Sequence, residues 1–226
     1  MGTKKIMNYI KIFIFNNLHF LKVEELELSK QAVKDFDEIF EHYIINGNGN
    51  FITYTSNYPK YLFLNYLIEN KNVLVHGSNN SYINNFEPRA QLLANNKPVK
   101  AVFAASDGIW SLFFAVINRK EYIGSLRNIC LTIPTKNGIK RYYYFSVNKE
   151  FKGKYWTDGT IYILLKKPFK QGGIKDEWIC ENNVKPLAKM SVTPEDFPFL
   201  EKVYKHNQSD SVLKTMMKVL ILNKNS

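Results

Sequence analysis

The chain is poor in several things that would name a function outright. It has two cysteines, Cys130 and Cys180, fifty positions apart in apolar surroundings. That excludes a disulfide framework and a CxxC metal knuckle, and two buried thiols in a reducing compartment are the ordinary reading, with a single bridge left open. The histidines, His19, His42, His76 and His206, have no HExxH or paired-ligand spacing, so no metal site is expected. GxxxxGK[ST], a GxGxxG after a strand and GxSxG are all missing, which removes P-loop, Rossmann and nucleophile-elbow readings. No run reaches the roughly 18 apolar residues that span a bilayer. The N-terminal MGTKKIMNYIKIFIFNNLHFL has a basic and an apolar zone, but Lys11 interrupts the latter and no small-x-small cleavage site follows. A cytoplasmic chain with no membrane partner is therefore expected.

Acidic charge is also scarce: 20 Asp+Glu stand against 31 Lys+Arg, a net of +11. Between Lys140 and Asp176 nine basic residues face three acidic ones. Such a field attracts a polyphosphate, a nucleic acid or an acidic protein. Because lysine outnumbers arginine, a plain solvated face fits it equally. Tyr142, Tyr144 and Tyr162 stand among these lysines, where they serve either single-strand stacking or ordinary cross-strand packing.

What is present is enough to fold: 45% hydrophobic and 15% aromatic residues over 226 positions bury a substantial core. The alternation and turn residues predict a hairpin from Tyr9–Phe15 and Leu18–Val23, then a helix over Lys30–Tyr43 capped by Ser29. A second helix opens near Asn57–Pro59. Residues 1–72 then form an extension packed on a domain of residues 73–226. In that domain Val73–Ser78 is a strand, Ala101–Ala105 a second strand across a polar loop, and Asp107 caps a helix. Strands follow at Ile129–Ile133, Arg141–Val147 and Thr160–Leu165. A hairpin is expected from Asp176–Cys180 and Val184–Val192, then short helices at Pro194–Tyr204 and Ser211–Leu222.

The most informative stretch is VLVHGSNNSYINNFEPRAQLLANNKPVKAVFAASDGIWSLFFAV. A strand ending in His76-Gly77-Ser78 brings a titratable ring to the sheet rim beside a residue that lets backbone approach a ligand. Ser111 and Phe114, three apart, share a helix face. Ordinary core and an incidental strand-end histidine explain the same residues.

In order, His76-Gly77-Ser78, Ala101-Val102-Phe103-Ala104, Ser111, Phe114 and Glu177-Trp178 resemble the ADP-ribosyltransferase superfamily in its diphtheria-toxin-like and poly-ADP-ribose-polymerase-like branch. The resemblance runs from Val73 to Val192. Phe103 stands where the family has tyrosine, keeping a stacking face and losing a hydroxyl. It implies an α+β fold with a mixed, mainly antiparallel split sheet and flanking helices, and NAD as substrate. By this resemblance His76 binds the adenosine ribose, the Gly77 backbone takes the carboxamide, Ser78 completes the motif and Ser111 holds the amide. Phe103 and Phe114 sandwich the nicotinamide. Glu177 stabilises the oxocarbenium-like ribose. Arg89, or a lysine of residues 167–175, neutralises the pyrophosphate. Mono-ADP-ribosyl transfer or NAD glycohydrolysis follows, with the acceptor a nucleic acid, an acidic protein or water. The alternatives are an inactive module of the same fold that binds a nucleotide-bearing ligand or nucleic acid through the Lys/Tyr surface, and a structural or interaction protein without a ligand, in which His76 and Glu177 face no common cleft.

Overall fold

The structure, a computed structural model, describes residues 2–222. It is a mixed α+β arrangement of mostly antiparallel strands with five α-helices among the described residues. Two compact units are present. One takes the residues up to Leu26, Arg119–Lys154 and those from Phe199 onward; the other takes Glu27–Asn118 and Tyr155–Pro198. The chain thus enters each unit more than once, and the sequence boundary between 72 and 73 falls inside the second.

The first unit is built on the hairpin of β5 (Leu126–Pro134) and β6 (Ile139–Asn148). The turn between them closes through Thr135 N–H to Gly138 O at 2.8 Å, with Gly138 at φ 140°, where only glycine is unstrained. On the other edge of β6 lie β1 (Leu21–Val23), antiparallel, and β11 (Tyr204–His206), parallel. With partners on both edges, β6 buries all of Tyr142–Phe145. Alternation sends Tyr142 and Tyr144 to one face, and Tyr143 and Phe145 to the other, where their rings stack at 5.6 Å. Tyr142 and Tyr144 are therefore core and offer no stacking surface to a nucleic acid. Tyr162 is equally buried, in the second unit.

The hairpin expected near the N-terminus is instead α1 (Gly2–Asn17) followed by β1. The run of Ile and Phe has strand-like composition, but Ile12 and Phe15 share a helix face and pack under Phe20 and Tyr142. Asn8 on the same face donates to Pro134 O at 3.0 Å. Tertiary packing overrides the weak local preference. The last helix, α5 (Val212–Leu220), capped by Ser211, covers the same cluster with Val219 and Leu220. Between Pro194 and Tyr204 the expected helix is reduced to two 3-10 turns before β11.

His206 is fully buried in this unit, its Nε2 2.8 Å from Ser125 Oγ and its Nδ1 2.7 Å from Ser146 Oγ. Burial, reinforced by the Arg127 charge, lowers its pKa to about 4, while Asp210 and Glu150 act in the opposite sense. In the unfolded chain the ring titrates near 6.5. Between those values the unfolded state binds more protons, so the contribution is complete above about pH 6.5 and lost as pH falls toward 4. Urea denaturation at pH 7.5 and 4.5 is expected to show lower stability at 4.5, and His206→Gln to lose part of that difference; an unchanged difference would contradict the burial argument.

The second unit holds a sheet in the order β10 (Ala188–Val192), β7 (Gly159–Leu165), β2 (Val73–Ser78), β4 (Pro98–Ala105), β9 (Glu177–Cys180) and β8 (Lys170–Gln171). All these neighbours are antiparallel. β3 (Arg89–Leu92), in the stretch read as polar loop, pairs with the first half of β4. The expected hairpin after Trp178 does not form, because β9 is taken by β4 and β10 by β7. Helix α2 (Lys30–Tyr43) has the cap expected of Ser29, which accepts from Ala32 N–H, and sets Phe36 against Phe63 and Tyr66 of α3 (Lys60–Asn70). Asp107 accepts from Trp110 N–H at the start of α4 (Gly108–Val116).

Candidate functional site

The two faces of the second unit's sheet decide which motif residues can meet. Leu74, Val102, Tyr162, Leu164 and Cys180 share one face and pack with Phe86 and Val184. Alternation and register place His76 on that face, opposite Tyr162. Its ring lies 4.9 Å from Phe86, edge-on, and 6.5 Å from Tyr162. The other face carries Gly77 and Phe103, and α4 packs against it at Gly77.

Strands β2 and β4 share a single pair, Val75 with Ala105. Beyond it His76 Nδ1 lies 2.8 Å from Phe103 O, filling the place of a ladder hydrogen bond. A carbonyl only accepts, so Nδ1 carries the proton. Burial lowers the His76 pKa and the Arg89 charge adds to this, against the opposing pull of the Phe103 carbonyl. The ring is therefore neutral, with Nε2 a free acceptor; among the described residues Phe103 O is its one hydrogen-bond partner.

Gly77 has a structural cause of its own. A Cβ there would come 2.1 Å from Ser111 O and 2.8 Å from Ala115 N, so the glycine is what lets α4 lie against β2. Gly159 is alike, 2.0 Å from Ala115 O by the same measure. The close approach read as a ligand's belongs, on this face, to α4. It also brings Ser111, buried, directly over Gly77. Ser78 Oγ accepts from Asn80 N–H at 3.1 Å.

Phe103 and Phe114 are both half-buried. Phe114 has Phe113 at 5.4 Å and Trp110 at 6.0 Å, whereas Phe103 has no ring contact among the described residues, so the two rings do not touch. Arg89, opposite Ala101 on β4, is exposed with no ion pair or hydrogen bond among the described residues.

Glu177 opposes Ala105 and so shares the face of Phe103 and α4, away from the His76 ring. The row Val75, Ala105, Glu177 sets the β2 and β9 backbones about 10 Å apart at the His76 level. Histidine and glutamate therefore flank the point where β2 and β4 part, from opposite faces. The Glu177 side chain is 6% exposed, with its carboxylate accepting from Gly173 N–H at 2.6 Å and Ala94 N–H at 3.0 Å. The β3–β4 turn and the Gly172-Gly173 loop cover it.

Three supporting residues have no signal in the motifs. Ser106 Oγ donates to the buried Asp176 at 2.9 Å, fixing the start of β9. Asn65, fully buried on α3, accepts from Gly108 N–H at 2.9 Å and so sets the entry of α4. An asparagine inside the apolar run Leu64-Asn65-Tyr66 is the one sequence mark that points to it. Replacing it by Ala is expected to cost about 1–3 kcal/mol, read by urea denaturation; no loss would show that Gly108 N–H finds water instead.

A pocket of about 340 Å³ opens beyond the ends of β2, β7 and β10, lined by Phe51, Asn79, Asp158, Thr160, Ser191 and Thr193 among others. None of the motif residues lines it. Among the described residues no cluster of His, Cys, Asp or Glu has the makings of a metal site, and no helix is long and apolar enough to cross a membrane.

The arrangement thus offers a neutral imidazole acceptor on one face of the sheet and, on the face that α4 covers, a carboxylate capped by backbone donors and the half-buried Phe103, with an exposed guanidinium on β3, so that the His76 ring and the Glu177 carboxylate do not face a common cleft. Comparison of the chain with family models, with curated proteins and with solved structures finds no match.

Proposed function

We propose that the chain cleaves NAD at the parting of β2 and β4, as a cytoplasmic mono-ADP-ribosyltransferase or NAD glycohydrolase of the ADP-ribosyltransferase type. The observation that carries this reading is the His76 Nδ1 contact to Phe103 O at 2.8 Å, which joins the two strongest motifs across that opening. His76 Nε2 accepts a hydroxyl of the adenosine ribose, and Arg89 meets the pyrophosphate. The nicotinamide lies against Phe103 and Phe114, with its carboxamide at the Gly77 backbone edge that β4 leaves unpaired. The ribose C1′–N bond then breaks, nicotinamide leaves with the bonding pair, and water or an acceptor hydroxyl attacks C1′ and passes its proton to bulk water. Glu177 offsets the positive charge that develops on the sugar. For this its carboxylate exchanges the Ala94 and Gly173 N–H donors for ribose hydroxyls, so the β3–β4 turn lifts on binding.

The same capping favours a second reading, a module that binds NAD or a related nucleotide without turning it over. The burial of Tyr142, Tyr144 and Tyr162 removes the nucleic-acid variant based on tyrosine stacking. Free nicotinamide, measured beside calorimetric NAD binding, tests both. Release supports the enzyme, and binding without release supports the inactive module. Absence of both release and binding overturns the proposal.

A further inference from the structure

Helix α1 is apolar on two sides. Ile12 and Phe15 face the core of the first unit, yet the opposite side carries Ile6 (60% exposed), Tyr9 (59%), Ile10, Phe13 (72%) and Ile14. These positions follow the i, i+3, i+4, i+7, i+8 pattern and, at 3.6 residues per turn, fill an arc of about 140°. An apolar stripe of that kind is ordinarily turned to a core; here it is turned out. Exposed Lys5 and Lys11 lie about 40° and 60° beyond its two edges by the same geometry. On α5, whose inner residues pack into the same cluster, Leu213 (68% exposed) and Met217 (50%) are exposed as well.

Charge decides what covers it. Residues 1–23 contain Lys4, Lys5, Lys11 and Lys22 and no acid, whereas Lys214 and Lys218 of α5 are paired with Asp210. A second copy of this +11 chain would set these lysines against their equivalents. An anionic surface complements them, and each lysine near such a surface raises affinity about fivefold.

We propose that α1 lies along the surface of an anionic lipid bilayer, its Ile6–Ile14 stripe in the headgroup and acyl boundary and its flanking lysines among the phosphates. Helices of this build rest parallel to the interface, with the apolar side about 5–10 Å deep. The expectation of no membrane partner rests on spanning length, which α1 lacks; lying on a surface requires none.

The test is co-sedimentation of the full chain with vesicles of phosphatidylcholine alone and with about 30% phosphatidylserine added, which gives them a negative surface potential. Wild type is expected to bind the phosphatidylserine vesicles at least about tenfold better. Phe13→Glu, at an exposed position, should cut that binding by about tenfold or more with an unchanged melting curve. The pair Lys5→Glu and Lys11→Glu should remove the preference for phosphatidylserine. Absence of wild-type binding, equal binding to both vesicles, or a dimer in sedimentation velocity that Phe13→Glu dissolves would each overturn the proposal.

Discussion

Glu177→Gln is expected to lower nicotinamide release from NAD by about 10²-fold or more while NAD affinity stays within a few-fold. The loss typical of one charge-stabilising group in a water-poor site is about 10²–10³-fold. The reason lies in what the amide keeps. A glutamine side chain has the same shape and retains an oxygen for Gly173 N–H or Ala94 N–H, so the cover over β9 survives. It lacks the negative charge, which matters only once the ribose becomes cationic. A variant that releases nicotinamide at the wild-type rate would remove Glu177 from the chemistry. A variant that no longer melts cooperatively would show that the carboxylate is chiefly a structural cap, and Glu177→Asp, which keeps charge and shortens reach, then separates the two roles.

Gly77→Ala carries the largest expected stability effect, about 3 kcal/mol, at the upper end of ordinary overpacking. Both atoms that the new Cβ would meet, Ser111 O at 2.1 Å and Ala115 N at 2.8 Å, are backbone, so no rotamer change relieves the clash and α4 must lift from β2. Gly159→Ala should act through the same helix, since its Cβ would meet Ala115 O at 2.0 Å. Once α4 has lifted for one, the other costs less, and the double variant is expected to lose clearly less than the sum of the two. Denaturation of the three variants reads this directly. An unchanged midpoint for Gly77→Ala, with NAD binding lost, would mean that the glycine serves ligand approach alone.

The parts of the fold that sequence reveals are those with local causes. Ser29 and Asp107 cap α2 and α4 as their side chains require, and Phe36 and Ile39 give α2 its buried stripe. α1 escaped because a run of Ile and Phe suits strand and helix alike, and only contact with Phe20 and Tyr142 decides between them. β10 looks like the return arm of a hairpin from β9, but its partner is β7, a pairing that no local pattern encodes.

The candidate site divides in the same way. His76-Gly77-Ser78 and Glu177 were legible as strand-end residues, and both lie on strands. Their faces were not legible, because face depends on register: His76 pairs with Tyr162 and Glu177 with Ala105, which sets them on opposite sides. Nor was the sealing of Glu177, since one of its donors is Ala94, 83 positions away in the chain. The tyrosines among the lysines take the packing alternative for a related reason, as a strand paired on both edges buries aromatics whatever the charge beside them.

The central claim is that NAD enters where β2 and β4 part, and titrating NAD into protein labelled with ¹⁵N at histidine and glycine tests it most directly. Saturable shifts of the His76 Nε2 and Gly77 amide signals, sharing one affinity, are expected, with His206 unmoved. Signals of His76 and Gly77 that stay fixed at saturating NAD would contradict it.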